Sequence, residues 1–165
     1  MKKTLILLAV LILSVGALSA QSVSEDKEIR TLQAPPDGRA KIGLLLGYPS
    51  GITFGYQFSN WFEGNLTAGY NFLFIKSGII SANGLFTLVN IPIGDAGLMP
   101  LSLGPQVNFI LGNKFYIDIV ADLRLAYTFA NIPLNLFAEF GFGFRFFNDG
   151  DWLAWNGGVG VRYVF

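Results

Sequence analysis

Large apolar and small or polar residues alternate through most of the chain from Lys41 to its end, and this alternation constrains the fold more than any other feature. In the segment Leu134–Phe147 the even positions are mostly large and apolar, and the odd positions are mostly small or polar. Four phenylalanines succeed one another on the apolar face of this segment: Phe140, Phe142, Phe144 and Phe146. A period of two is typical of a β-strand with two different faces. The same part of the chain holds no apolar run of about 18 residues, which excludes membrane-spanning helices there.

The alternation recurs in eight segments that are separated by turn-forming residues. The predicted strands are Lys41–Tyr48, Ile52–Phe58, Trp61–Phe74, Ile79–Asn90, Leu98–Leu111, Phe115–Phe129, Leu134–Phe147 and Leu153–Phe165. The predicted turns are 49–51, 59–60, 76–78, 94–97, 112–114, 131–133 and 148–151. Pro105 lies inside a predicted strand and lacks an amide hydrogen, so we expect a β-bulge at Gly104–Pro105. These segments predict an all-β fold, an eight-stranded antiparallel β-barrel with short turns over residues 40–165.

Composition indicates which face of this barrel points inward. The chain is 52% hydrophobic and only 13% charged. The interior of an eight-stranded barrel is just wide enough for ordinary side chains, so it cannot hold this many Phe, Tyr and Leu residues. The other face is too poor in charge for a solvated surface, which argues against the alternative of a soluble, lipocalin-like barrel. We therefore predict a transmembrane barrel whose lipid-facing residues include Phe140, Phe142, Phe144 and Phe146.

The polar face then lines the lumen, and its charged residues form a predicted lumenal charge network. Its seven members are Glu63, Asp118, Asp122, Arg124, Glu139, Arg145 and Arg162. Large apolar residues share the same parity, so the lumen is not purely polar. They are Leu73, Leu85, Ile110, Val120, Phe137 and Phe147.

Charge also predicts the register between the sixth and seventh strands. A turn at residues 131–133 aligns Phe129 with Leu134, and this alignment places Arg124 opposite Glu139. The same register places Asp118 opposite Arg145. We expect Arg162 of the last strand within diagonal reach of Glu139.

Other registers of this strand pair are unfavourable. A slip of two residues would oppose Asp122 to Glu139, a like-charge pair that destabilises a sheet. A slip of one residue would turn every charged side chain towards lipid.

The first twenty residues have the layout of a secretory signal peptide. Lys2 and Lys3 precede an apolar run over Leu5–Val15, and small residues follow it. The run is too short for a spanning anchor, and no Cys follows that could carry lipid. Cleavage after Ser19 and cleavage after Ala20 both remain open. Residues 21–39 are charged or rich in Pro and Gly, so we expect a polar periplasmic tail or linker.

The last strand resembles the C-terminal signal that the barrel-assembly machinery reads. The residues that fit this signal are Asn156, Gly158, Val161, Tyr163 and Phe165. The resemblance implies that the barrel-assembly machinery and periplasmic chaperones are partners during biogenesis. An unpaired strand offered by its edge is a suitable template for β-augmentation.

Residues 41–165 resemble small eight-stranded outer-membrane barrels of the OmpA-like type, and within them a poorly characterised group of spirochaetes and other bacteria with two membranes. Four segments carry the resemblance: Gly47–Thr53, Gly97–Leu101, Ile132–Glu139 and Asn156–Tyr163. It implies a location in the bacterial outer membrane. The group often has Lys where Gly55 stands and Glu where Ala126 stands, and this chain lacks both of those charges.

Several classes of function are excluded or weakened by composition. The chain has no His and no Cys, which leaves no catalytic imidazole or thiolate, and barrel enzymes that act on lipid A rely on a His with a Ser. Its formal net charge of +0 argues against nucleic-acid binding. Asp149-Gly150-Asp151 is interpreted as a hairpin turn rather than a metal site. We expect no catalytic residue, no cofactor and no metal.

The sequence therefore favours a structural, non-enzymatic outer-membrane barrel with a lumen filled by side chains and ion pairs. We expect it to be a monomer in contact with outer-membrane lipid. A narrow channel for small or apolar solutes, of the OmpW type, is one alternative. A surface protein that binds a host ligand is another, limited by the short outer loops.

Overall fold

The structure is a computed structural model that describes residues 39–72, 76–93, 98–129, 132–147 and 152–165. It contains eight strands: β1 (Ala40–Tyr48), β2 (Ser50–Ser59), β3 (Phe62–Asn71), β4 (Ser77–Pro92), β5 (Leu98–Leu111), β6 (Phe115–Thr128), β7 (Leu134–Phe146) and β8 (Leu153–Val164). Each strand pairs antiparallel with the next, and β1 pairs with β8, so the strands form a closed barrel. The predicted all-β fold is confirmed. In the described ranges no helix has the length and hydropathy needed to cross a membrane.

The strands are strongly staggered around the barrel. Successive cross-strand partners lead from Tyr163 of β8 through all the other strands to Leu153 of β8, ten residues away. A stagger of this size requires the strands to tilt by roughly 40° from the barrel axis. Residues at the same height are therefore not direct cross-strand partners.

The two ends of the barrel differ in what they carry. The end called here the terminal end holds Arg39 and Phe165, and the Phe165 amide donates to the Ala40 carbonyl at 2.9 Å. The β2–β3, β4–β5 and β6–β7 connections lie at the same end. The opposite end, called the distal end, carries the other four connections.

All eight predicted segments are strands, and three predicted turns are displaced. The turn predicted at 59–60 lies at residues 60–61, because Ser59 still belongs to β2. β2 begins at Ser50, so Pro49 alone separates it from β1, and the prediction of a turn over residues 49–51 is wrong. The Ser50 hydroxyl stabilises this tight connection, because it accepts from the Gly47 amide at 3.1 Å and donates to the Gly47 carbonyl at 2.9 Å.

The β3–β4 connection also lies earlier in the chain than predicted. Ser77 and Gly78 belong to β4, where they pair with Asn71 and Tyr70. The predicted turn at 112–114 is confirmed between β5 and β6. Residues 94–97, 131 and 148–151, which belong to other predicted turns, lie outside the described residues.

The predicted bulge at Gly104–Pro105 is wrong. The β4–β5 register is unchanged across these residues, since Asn83 pairs with Gln106 and Phe86 with Leu103. A Cβ atom at Gly104 would lie 1.8 Å from the Gly84 carbonyl oxygen, so only glycine permits this close approach. The register shift occurs instead between Thr87 and Val89.

Exposure alternates along most of the strand length and divides the barrel into two faces. The terminal-end parts of β4 and β5 differ, because residues 89–92 are all exposed and residues 98–103 are all half-buried. Phe140, Phe142, Phe144 and Phe146 point outward and are exposed. Among the apolar residues predicted inside, four are buried: Leu85, Ile110, Val120 and Phe137. Phe147 is not, because it lies beyond the end of β7 with a φ of 64° and is 75% exposed. Leu73 lies outside the described residues.

Candidate functional site: the charged interior

Every charged residue of the eight strands points into the barrel. The seven predicted members of the network are there, with Arg145 half-buried and the others buried. Lys41 of β1, which the prediction did not include, is buried with them. In the described strands the interior therefore holds four acids and four bases. A balanced set is what burial requires, because an unpaired charge is costly to desolvate.

Arg124 and Glu139 occupy the register that the sequence predicted. They are cross-strand partners on β6 and β7, as are Asp118 and Arg145. The Arg124 guanidinium donates to Glu139 Oε2 from Nε at 3.0 Å and from Nη2 at 2.6 Å. Its remaining terminal nitrogen, Nη1, reaches across the interior to Glu63 Oε1 at 3.2 Å. The predicted register between these two strands is confirmed.

Glu63 is the centre of the cluster, because three cations converge on it. Lys41 Nζ binds its Oε2, and Arg162 Nη1 donates to its Oε1 at 2.9 Å. Together with Arg124 these cations come from β1, β8 and β6, while Glu63 itself lies on β3. The stagger of the strands makes this convergence possible, since it brings residues of distant strands to similar positions along the barrel axis.

Arg162 also forms hydrogen bonds with amide side chains of the interior. It donates to Asn135 Oδ1 at 3.0 Å and 2.7 Å, and to Asn65 Oδ1 at 2.7 Å. The prediction that Arg162 lies within diagonal reach of Glu139 is wrong, because Glu139 pairs with Gly158 and Arg162 pairs with Asn135, four residues further along β8. The ion pair that Arg162 forms is with Glu63.

Gly55 of β2 lies directly against two side chains of the interior. A Cβ atom at Gly55 would lie 2.8 Å from Nη1 of Arg162 and 2.5 Å from Oδ1 of Asn65, so a larger residue there would displace these two side chains. Lys41 is the cross-strand partner of Gly55.

Phe137 packs between two of the guanidinium groups. Its ring centroid lies 4.8 Å from Cζ of Arg124 and 4.5 Å from Cζ of Arg162. Gly160 leaves space for the ring, because a Cβ atom there would lie 2.3 Å from it. The aromatic face attracts both cations and separates them at the same time.

A second, smaller group closes the distal end. Arg145 donates to both oxygens of Asp118 at 2.8 Å, and its Nη2 donates to the Tyr48 hydroxyl at 3.2 Å. Tyr48 packs with Ile79 and Ile110 in a buried apolar cluster. At the distal end this apolar cluster therefore lies beside the Asp118–Arg145 ion pair and the buried polar side chains of Asn71 and Ser77.

A row of amide side chains lies between the two charged groups. Asn65 donates to Asn83 at 2.9 Å, and Asn83 Nδ2 donates to both Gln106 and Asp122 at 3.0 Å. Gln106 in turn donates to Asn108 at 2.7 Å. Sequence parity placed these amides inside, but it gave no sign that they would form one chain from β3 to β6.

Some buried polar atoms in the described interior have no protein partner. They are Oγ1 of Thr53, Oγ of Ser81, Oδ1 of Asp122, and both side-chain polar atoms of Asn156. Buried groups of this kind are commonly hydrogen-bonded to internal water.

The five residues of the predicted assembly signal lie on β8 or directly after it. Asn156 and Gly158 face inward, whereas Val161, Tyr163 and Phe165 face outward. Within the described ranges no three acidic, His or Cys side chains form a metal-binding group. Asp149 and Asp151 lie outside these ranges. The arrangement offers ion pairing and packing.

The fold and its interior define the class: a closed, eight-stranded antiparallel β-barrel with a charge-balanced core. Compared with known protein families, with curated proteins and with solved structures, the chain has no match.

Proposed function

We propose that the chain is an integral protein of a bacterial outer membrane with a structural, non-enzymatic role. The observation that supports this most is the distribution of charge, because the eight charged residues of the strands all face inward and the outward positions are overwhelmingly apolar. A soluble barrel could not leave such a surface in water without association. A lipid bilayer requires it, together with the closed backbone hydrogen bonding of the barrel.

Aromatic pairs near both ends support the same proposal. At the terminal end, tyrosine rings lie against phenylalanine rings two residues on, with centroids about 5 Å apart: Tyr56–Phe58, Tyr127–Phe129 and Tyr163–Phe165. Tyr70–Phe72 repeats the pattern at the distal end, where Trp152 stacks on Phe144. Aromatic girdles at the two interfaces are typical of outer-membrane barrels.

The filled interior supports a structural role over transport. The distal cluster around Tyr48 and the ion pairs around Glu63 both lie across the lumen. An ion crossing it would have to separate buried pairs, and this costs several kcal/mol each.

The remaining sequence predictions belong to this proposal. Export by a signal peptide over residues 1–20 and a periplasmic tail over 21–39 concern residues that, except for Arg39, lie outside the described ranges. Recognition of the last strand by the barrel-assembly machinery fits the position of β8, which forms the closing seam with β1.

Fractionation, heat-modifiable gel migration and planar-bilayer conductance test the proposal together. We expect the protein in the outer-membrane fraction, a shift in migration on boiling, and no conductance steps from the refolded protein. Recovery as a soluble monomer, or an absence of any heat-dependent shift, would contradict it.

A narrow channel is the second candidate, and the unpartnered polar atoms around Asp122 and Asn156 favour it because they indicate a hydrated centre. Regular small-ion conductance that disappears on unfolding would establish the channel in place of the structural role.

A further inference from the structure

The outer apolar face extends furthest towards the terminal end on β4 and β5. β3 pairs with β4 only as far as Phe62 opposite Phe86, and the Thr87 amide then donates to the Trp61 carbonyl at 2.9 Å. β4 continues to Pro92, and among the described strands its last residues pair with β5 alone. We define residues 89–93 together with 98–101 as the β4–β5 extension.

The bulge at the base of the extension controls which side chains face outward. Before it, even-numbered residues such as Phe86 point out of the barrel. The extra residue between Thr87 and Val89 reverses this parity, so Val89 opposes Leu101 and Ile91 opposes Met99. Without the bulge, Asn90 and Pro92 would take the outward positions. A bulge commonly re-aims side chains in this way.

The result is an apolar surface on β4 and β5 that continues beyond the end of the neighbouring strand β3. Val89, Ile91 and Ile93 are 48%, 36% and 38% exposed. With a rise of about 3.3 Å per residue and a tilt of roughly 40°, Pro92 lies roughly 10 Å beyond the level at which β3 ends. β4 has 16 residues, whereas β1 has 9 and β2 and β3 have 10 each. The apolar band is therefore much taller on one side of the barrel.

We propose that the β4–β5 extension is embedded in the lipid of the terminal-end leaflet, so that the barrel sits tilted with this side deepest. The inference rests on the proposed function. Lipid is the expected occupant because the extension continues the apolar outer face without a charged residue in its described part. An added strand from a protein partner is disfavoured, since Pro92 and Pro100 interrupt regular backbone pairing. A hydrophobic span longer than the bilayer is commonly accommodated by tilting.

Single-cysteine labelling tests the depth of the extension, and the chain has no native Cys to interfere. Ile91→Cys would carry a nitrobenzoxadiazole label, with Asn90→Cys as an equally exposed neighbour on the opposite face of the strand and Asn60→Cys in the β2–β3 turn. Phe140→Cys would mark the apolar band. Each variant is refolded in dioleoylphosphatidylcholine vesicles and accepted only if it shows the heat-modifiable shift. Val89→Cys replaces Ile91→Cys if the latter does not fold.

The label at residue 91 is expected to emit at shorter wavelength than the label at residue 60. It is also expected to be quenched by doxyl-labelled lipid as the residue 140 label is, and to be protected from aqueous iodide. Equal quenching by iodide at residues 91 and 60 would overturn the inference about the extension. If lipid still quenches the label at residue 140 in that case, the proposed function is unaffected. Absence of lipid quenching at residue 140 would instead reject the membrane barrel itself.

Discussion

Removing Arg124 is the perturbation that most directly tests whether the ion pairs of the interior are dry. Arg124→Ala takes away the cation that binds Glu139 and one of the three that bind Glu63. Glu63 keeps Lys41 and Arg162, so the penalty falls mainly on Glu139, whose side chain is only 3% exposed. Leaving one partner of a buried ion pair alone costs about 3–5 kcal/mol.

Urea unfolding in phosphatidylcholine vesicles, followed by tryptophan emission, measures this cost. Trp61, Trp152 and Trp155 all lie on the outer face and are exposed, so their emission reports transfer from lipid to water. Lys76→Ala, at an exposed position beside β4, serves as a control for loss of a positive charge and should change the free energy of unfolding by less than about 0.5 kcal/mol.

The double variant Arg124→Ala/Glu139→Gln separates a stranded charge from a lost contact. Because Gln carries no charge, the double variant should be more stable than Arg124→Ala alone. A cost below about 1 kcal/mol for Arg124→Ala, with no recovery in the double variant, would refute a dry interior. Small-ion conductance should then appear.

Three further predictions concern the outer face, the last strand and the packing of the interior. Phe142→Arg should cost roughly 2–4 kcal/mol in a bilayer folding titration, and a value near zero would mean that this face does not meet lipid. Deletion of Phe165, or Tyr163→Asp, should lower the yield in the outer membrane while periplasmic export continues; normal surface levels would remove the case for an assembly signal. Gly160→Ala should destabilise the barrel by about 1–3 kcal/mol because its Cβ would lie 2.3 Å from a buried ring, whereas Gly78→Ala, with 3.7 Å to the nearest atom, should be tolerated; equal urea midpoints would contradict this.

The pattern of the sequence predicted the strands and one register because each depends on neighbours along or directly across the sheet. Alternation identifies the two faces of β7 without further information. The pairing of Arg124 with Glu139 follows from a short turn and from opposite charges, which both belong to one hairpin.

Contacts across the interior could not be predicted in the same way. The binding of Arg162 to Glu63 depends on the stagger of all eight strands, which no single hairpin determines. Lys41 was missed although its parity is lumenal, since it borders the polar tail and looks like the end of a strand. The bulge before Val89 was missed because a change of parity within an apolar segment leaves no mark in the pattern.

The convergence on Glu63 has a consequence for the order of assembly. Hairpins of neighbouring strands can form from local contacts, but the seam between β1 and β8 joins residues as far apart in the chain as Lys41 and Val164. Lys41 and Arg162 stand on the two sides of that seam and reach Glu63 from it. An open sheet would keep Lys41 close to Glu63, because only β2 lies between their strands, but it would leave Glu63 without Arg162 of β8. Part of the charge compensation of Glu63 therefore arrives in the step that joins the first strand to the last. Closure of the barrel therefore stabilises the Glu63 carboxylate, and a barrel that has not closed lacks this stabilisation.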